Sequence, residues 1–64
     1  MSKYDGITVN ERLAASGELI AYEDAARRRD RDAMIEILGR VGLPRESAAW
    51  TADTILANPA KYGF

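Results

Sequence analysis

Few side chains in this sequence could carry out a reaction, and none stands in a recognised catalytic arrangement. The 64 residues include no Cys and no His, so thiolate nucleophiles, imidazole bases and the usual zinc ligands are missing. The remaining hydroxyl groups of Ser and Thr belong to Ser2, Thr8, Ser16, Ser47, Thr51 and Thr54. No phosphate-binding glycine loop and no nucleophile elbow accompanies them. We therefore expect a protein that is not an enzyme.

Paired carboxylates do not alter this expectation. Glu23 and Asp24 are adjacent in the sequence, so on a helix their side chains diverge by about 100° and do not share a site. A ligand pocket also needs about 300 Å³ or more, which short helices packed on one another are not expected to leave. The sequence thus predicts no catalytic, cofactor-binding or metal-binding residue, and no cofactor.

A cluster of charges, ARRRDRD at 26–32, has the composition of a phosphate site but is better explained as a junction between two helices. Three arginines, Arg27 to Arg29, would end one helix, where cations favour the negative end of the macrodipole. Asp30 is a good N-cap for the next helix, and Asp32 would lie in its first turn. Because acids alternate with bases, we expect no nucleic-acid site here.

DNA binding is the alternative function. The stretch from Ile37 to Leu56 loosely resembles a helix-turn-helix with Gly42 at the turn. Its would-be recognition helix carries Arg45, Glu46 and Asp53 and is therefore acidic, although phosphate contacts normally supply much of the affinity for DNA. The whole chain has a net charge of −1, whereas nucleic-acid-binding domains are usually basic.

Aromatic residues are more abundant than the predicted helix interiors require. Trp50 falls roughly opposite the apolar stripe of its helix, and Tyr62 and Phe64 lie in the C-terminal tail. In one interpretation, the tail folds back and covers Trp50 or the region around Tyr22. In the other, these side chains form an exposed patch that anchors a partner. The predicted interaction surface consists of Trp50, Tyr62, Phe64 and Tyr22.

Three helices would have to position these residues. The first is predicted at about residues 9–28, with a capping box at Thr8 and Glu11 and an inner stripe of Val9, Leu13 and Ile20. Leu19, Tyr22 and Ala26 form a second, weaker stripe. Gly17 leaves two alternatives open: a continuous helix that another helix crosses closely, which we favour, or a break with Ser16 as a new cap.

The other two helices have clearer signals. A helix at about 31–41 buries Met34, Ile37, Leu38 and Val41, with Gly42 after its end. A helix at about 45–57 follows Pro44 and ends before Pro59. Its inner side comprises Ala48, Ala49, Ala52, Ile55 and Leu56. The predicted fold is an all-α three-helix bundle whose C-terminal tail folds back on the helices.

Chain length bounds the organisation of the protein. Residues 1–64 are expected to form a single helical domain, and a domain of this size buries only about 60% of its unfolded surface. A second copy or a larger protein partner is therefore expected on energetic grounds. The sequence contains no apolar segment long enough to span a membrane and no secretory signal, and it lacks Cys, so we expect a cytoplasmic location.

Three segments resemble a known family: NERL at 10–13, RDRDAMIEIL at 29–38 and WTADTILANPAKYGF at 50–64. Together they are similar to a family of short, uncharacterised helical proteins from bacteria, mostly alphaproteobacteria, with an N-E-R-L start and a P-x-x-Y-G-F finish. The resemblance implies a small helical fold and assigns no activity and no site residue. It also implies Ser or Thr where this chain has Pro44.

These observations together favour a protein–protein interaction module that associates with itself or docks on a larger protein. The small expected core, the lack of reactive side chains and the surplus aromatic residues all favour this function.

Overall fold

The computed structural model describes residues 9–64, which form four α-helices and one 3₁₀ turn and contain no strand. The elements are α1 (Val9–Ala15), α2 (Leu19–Arg27), α3 (Arg31–Arg40), α4 (Arg45–Ala57) and the 3₁₀ turn Pro59–Tyr62. The all-α class is confirmed for these residues. The prediction of three helices is wrong, because the helix predicted at 9–28 is two helices. The predicted capping box begins at Thr8, outside the described residues.

Gly17 ends α1 because its backbone is left-handed, with φ of 78°. The Glu18 N–H donates to the Leu13 carbonyl (2.8 Å) and the Gly17 N–H donates to the Ala14 carbonyl (3.2 Å), which together close the helix. A β-carbon at Gly17 would meet nothing within 4 Å, so a close helix crossing is not the reason for the glycine. Ser16 does not cap α2 either, since its hydroxyl donates to the Leu13 carbonyl (3.2 Å).

Four of the helical segments end at a residue with a left-handed backbone, as α1 does at Gly17. The left-handed residues are Gly17, Arg29, Gly42 and Gly63. After α3, for example, the Leu43 N–H donates to the Leu38 carbonyl (3.1 Å) and the Gly42 N–H to the Gly39 carbonyl (3.1 Å). Each of these segments therefore ends within one turn of its left-handed residue.

The α2–α3 junction follows the prediction for the charge cluster. The Asp30 carboxylate accepts a hydrogen bond from the Ala33 N–H (3.2 Å) and so caps α3. Asp32 lies in the first turn of α3. Pro44 stands just before α4, in agreement with the predicted start at residue 45, and it offers no side-chain cap.

The core lies where α3 packs against α2 and α4. All four residues predicted for the inner face of α3 are buried. The buried apolar residues are Leu13, Tyr22, Ala25, Ala26, Met34, Ile35, Ile37, Leu38, Val41, Ala48 and Ala52. The weaker predicted stripe of Leu19, Tyr22 and Ala26 is thus the inner face of α2. Ile20, predicted to be buried, is 81% exposed, because the break at Gly17 rotates α2 relative to α1.

The C-terminal tail folds back on the helices, as predicted. Asn58 ends α4 before Pro59, and the 3₁₀ turn packs against α4. The Phe64 N–H donates to the Pro59 carbonyl (3.0 Å) across left-handed Gly63. Phe64 is thereby half-buried and packs against the core.

Candidate interaction cleft

A cleft of about 590 Å³ opens between α1, α2, α4 and the C-terminal tail. Its lining is mainly apolar and includes all four residues of the predicted interaction surface. The lining residues are Val9, Asn10, Leu13, Tyr22, Glu23, Trp50, Thr51, Thr54, Ile55, Tyr62 and Phe64. We call it the aromatic cleft, after Tyr22, Trp50, Tyr62 and Phe64. The expectation that short helices leave no space above about 300 Å³ is therefore wrong.

Tyr22 is the buried aromatic residue of the cleft. Its position on the inner face of α2 leaves the residue only 4% exposed. Its hydroxyl is buried and has no hydrogen-bond partner among the described residues. Burial raises the pKa of Tyr22 from 10.0 to about 12, because the phenolate loses its solvation there. The hydroxyl is therefore a neutral polar group that lacks a partner.

Trp50 is the exposed aromatic residue of the cleft, at 70% exposure. It projects from the side of α4 that faces away from buried Ala48 and Ala52. The nearby threonine hydroxyls are bonded to their own helix: Thr51 donates to the Ser47 carbonyl (2.8 Å) and Thr54 to the Trp50 carbonyl (2.7 Å). The cleft next to Trp50 thus offers apolar surface and hydroxyl lone pairs.

Tyr62 and Phe64 form the wall contributed by the tail. Tyr62 is 41% exposed, and the Lys61 ammonium lies 5.8 Å from its ring centroid. The Arg27 guanidinium lies 5.7 Å from the Phe64 ring centroid. Both contacts are cation–π interactions, and the Arg27 contact joins the end of α2 to the tail.

Charges of both signs surround the aromatic cleft. Glu23 lines it, while Arg27 and Lys61 lie against two of its rings. Among residues 9–64, these three side chains take part in no ion pair, although ion pairs join other charged residues on the surface. The rim of the cleft therefore has unneutralised charge of mixed sign.

The rest of the arginine cluster supports the fold and does not converge on one site. Arg28 contacts Asp24 (2.9 Å) and Asp30 (3.3 Å). The Arg29 guanidinium donates to two carbonyls at the end of α2, each at 3.0 Å. Arg31 reaches across to α4 and binds both oxygens of Asp53 (2.6 and 3.2 Å). The three arginines thus bond to five different groups, so each guanidinium is engaged in its own contacts.

The four aromatic residues predicted as an interaction surface all line the cleft, while most of its polar lining was not predicted. Asn10 and Glu23 carried no signal, because a single polar residue on a predicted helix is ordinarily solvated. Val9 and Leu13 were predicted as core, and they also line the cleft. The positions of Thr51 and Thr54, one and four residues after Trp50, were the available signal for this face of α4.

Smaller depressions also lie in the described part of the chain, and one of about 470 Å³ is lined in part by Asp32, Glu36 and Arg45. A shallow apolar patch of about 250 Å³ surrounds Ile20 at the α1–α2 corner. Within residues 9–64, no group of acidic side chains is arranged to hold a metal ion. No helix in the same range has the length and apolar character needed to cross a membrane.

Comparison of the chain with protein-family models, curated proteins and solved structures finds no match to any of them. Membership in the bacterial family that the sequence resembles therefore stays a prediction.

Proposed function

We propose that this protein is a non-catalytic protein–protein interaction module and that the aromatic cleft is its binding surface. One observation carries the proposal: Trp50 is 70% exposed at the edge of an apolar cleft of about 590 Å³. Trp and Tyr are the residues most enriched at the energetic centres of protein interfaces. A second copy of the chain and a larger protein are both partners of this kind.

The polar groups of the cleft support binding rather than catalysis. Thr51 and Thr54 donate their hydroxyl protons to backbone carbonyls of α4, so neither is paired with a base that would activate it. The raised pKa of Tyr22, about 12, keeps its hydroxyl protonated at neutral pH, which makes it a poor general base.

The surface of α4 supports a protein partner over nucleic acid. Asp53 occupies the middle of this helix and holds Arg31 in an ion pair (2.6 Å). Glu46 follows Arg45 in the first turn, so the helix that would enter a DNA groove has net negative charge. Such a helix carries a single basic residue of its own, Arg45, although phosphate contacts normally supply much of the affinity for DNA.

Co-purification from the native host tests this proposal. Tagged wild-type protein should capture a reproducible partner, either another protein or an untagged copy of the same chain. Trp50→Ala should lose that partner and retain its helical circular dichroism, because Trp50 is largely exposed. Ile20→Ala is the matched control, since Ile20 is an exposed apolar residue outside the cleft. Equal capture by wild type and Trp50→Ala would refute the proposal.

A further inference from the structure

We propose that the occupant of the aromatic cleft is a second copy of this chain, and that each Trp50 inserts into the cleft of the other copy. This inference rests on the proposed function and specifies the partner. The interface would be isologous: the same patch on both copies, related by a two-fold axis.

A two-fold interface needs a protruding group and a depression on one patch, and the aromatic cleft offers both, because Trp50 forms part of its wall and is largely exposed. Trp50 projects from the patch at 70% exposure, while the cleft beside it holds about 590 Å³. A protruding side chain and a cavity therefore lie on one surface. Rotation about an axis between them brings each Trp50 to the other copy's cleft.

The charges on the rim are also self-complementary. Glu23 is acidic and Arg27 and Lys61 are basic, and none of them forms an ion pair within residues 9–64. A rim of one sign would repel itself across any two-fold axis, whereas a mixed rim allows opposite charges to face each other. The charge pattern therefore favours a second copy over a partner with a strongly acidic or basic surface.

The polar atoms of the cleft complement each other in the same way. The Thr51 and Thr54 hydroxyls line the cleft and donate to their own helix, so their oxygens keep lone pairs that can accept a hydrogen bond. The Trp50 indole N–H is a donor only, and no described residue accepts a hydrogen bond from it. An indole that enters the cleft of the other copy can donate to one of these threonine oxygens.

The small core provides the energetic reason for a dimer. Four of the buried core residues are alanines: Ala25, Ala26, Ala48 and Ala52. Alanine supplies little apolar area, and a chain of 64 residues buries a low fraction of its surface on its own. Covering the aromatic residues in a dimer adds the apolar burial that the isolated chain lacks.

Sedimentation of the full chain tests the dimer directly. Wild-type protein should pass from the monomer mass of 7.1 kDa to twice that value as its concentration rises from about 1 μM to about 1 mM, the range in which modest interfaces dissociate. Trp50→Ala should raise the dissociation constant at least about 10-fold. Ile20→Ala should leave it unchanged. Dimers that tolerate Trp50→Ala, or that Ile20→Ala disrupts, overturn the proposal.

A charge exchange tests the two-fold arrangement. Glu23→Lys makes the rim wholly positive, and the double change Arg27→Glu with Lys61→Glu makes it wholly negative. Each variant alone should be monomeric at concentrations at which wild type is a dimer, and an equimolar mixture should form a heterodimer. A mixture that stays monomeric, or a single variant that dimerises like wild type, contradicts the arrangement.

The two proposals fail separately. A wild-type chain that is monomeric at every concentration overturns the dimer. If Trp50→Ala also leaves the co-purified partners unchanged, the interaction function is overturned as well. Loss of a different protein with Trp50→Ala, in a monomeric chain, retains the function and rejects the second copy.

Discussion

Three arginines of the charge cluster each make their own hydrogen bonds, either to carbonyl groups at a helix end or to acidic side chains nearby. Arg29 shows this most clearly, because it adopts a left-handed backbone with φ of 59°, which costs a residue with a β-carbon about 1–2 kcal/mol. Its guanidinium bonds the Ala26 and Arg27 carbonyls, which offsets part of that cost. Asp30, directly after it, caps α3. Charge density in this sequence therefore marks a helix junction.

Arg29→Gly should be more stable than Arg29→Ala by about 0.5–1 kcal/mol. Both changes remove the guanidinium, but only glycine adopts the left-handed backbone without strain, and its greater freedom in the unfolded chain offsets part of the gain. Urea unfolding monitored by circular dichroism measures the difference. Equal stabilities would indicate that the left-handed conformation is not kept in these variants.

Tyr22 predicts a loss of stability at high pH. The pKa of Tyr22 is about 12 in the folded protein and 10.0 as its ordinary value, so folding favours the neutral phenol. The stabilisation is complete below pH 10 and is lost as pH rises through about 12. The urea midpoint should therefore fall between these pH values, and it should fall less in Tyr22→Phe. An identical decline in both proteins would contradict this assignment.

At the scale of the elements, a helix boundary could be predicted from the sequence where the residue at that boundary is compatible with only one local structure. Asp30 and Gly42 each point to one structure, a start and an end of α3, and both predictions are confirmed. Gly17 does not point to one structure, because glycine is compatible both with a close helix crossing and with a left-handed turn. Once α2 is rotated by that turn, Ile20 leaves the core and the stripe of Leu19 and Tyr22 enters it.

Two glycine-to-alanine changes should have opposite effects. Gly17→Ala places a β-carbon on a left-handed backbone and should cost about 0.5–1 kcal/mol. Gly39→Ala, in the last turn of α3, should stabilise by about 0.5 kcal/mol because alanine is the better helix former. A β-carbon would meet nothing within 4 Å at either site, so the comparison isolates the backbone. Stability changes of the same sign in the two variants would contradict the left-handed backbone at Gly17.

The ion pair between α3 and α4 should respond to acid. Hydrogen bonds and charge from Arg31 lower the pKa of Asp53 below its ordinary value of 3.8. Its contribution to stability is therefore complete above that value and is lost as pH falls through the lowered pKa. A double-mutant cycle with Arg31→Met and Asp53→Asn measures the coupling, which should be present at neutral pH and vanish in strong acid.

Glu46→Gln, on the same helix, is the matched control for this cycle and should show no coupling to Arg31. Added salt should weaken the Arg31–Asp53 coupling, since both side chains are about half-exposed. A coupling that persists in strong acid would show that the two residues interact through packing.

At the scale of the whole molecule, the aromatic cleft is assembled from parts that are distant in the sequence. The sequence predicts an interaction surface of Tyr22, Trp50, Tyr62 and Phe64. All four line the aromatic cleft, and their role in binding stays a prediction. The cavity itself could not be predicted, because it depends on the angle between α1 and α2 and on the path of the tail. Periodicity places a residue on a helix face but does not define how faces meet.

The small core should make single truncations severe. At about 0.05–0.15 kcal/mol per residue, a chain of 64 residues has a total stability of roughly 3–10 kcal/mol. Leu38→Ala removes a fully buried side chain and should cost about 3–5 kcal/mol. Ile20→Ala should change stability by no more than about 0.5 kcal/mol. Thermal unfolding compares the two, and similar losses would contradict the described core.

The left-handed helix ends have a consequence for kinetics. Each end closes through hydrogen bonds between residues three to five positions apart, so the turns form without waiting for distant segments to meet. Helical proteins whose contacts are mostly local reach the native state in microseconds to milliseconds. The short corners at Gly17, Arg29 and Gly42 therefore leave this chain little time as an exposed, aggregation-prone intermediate during synthesis.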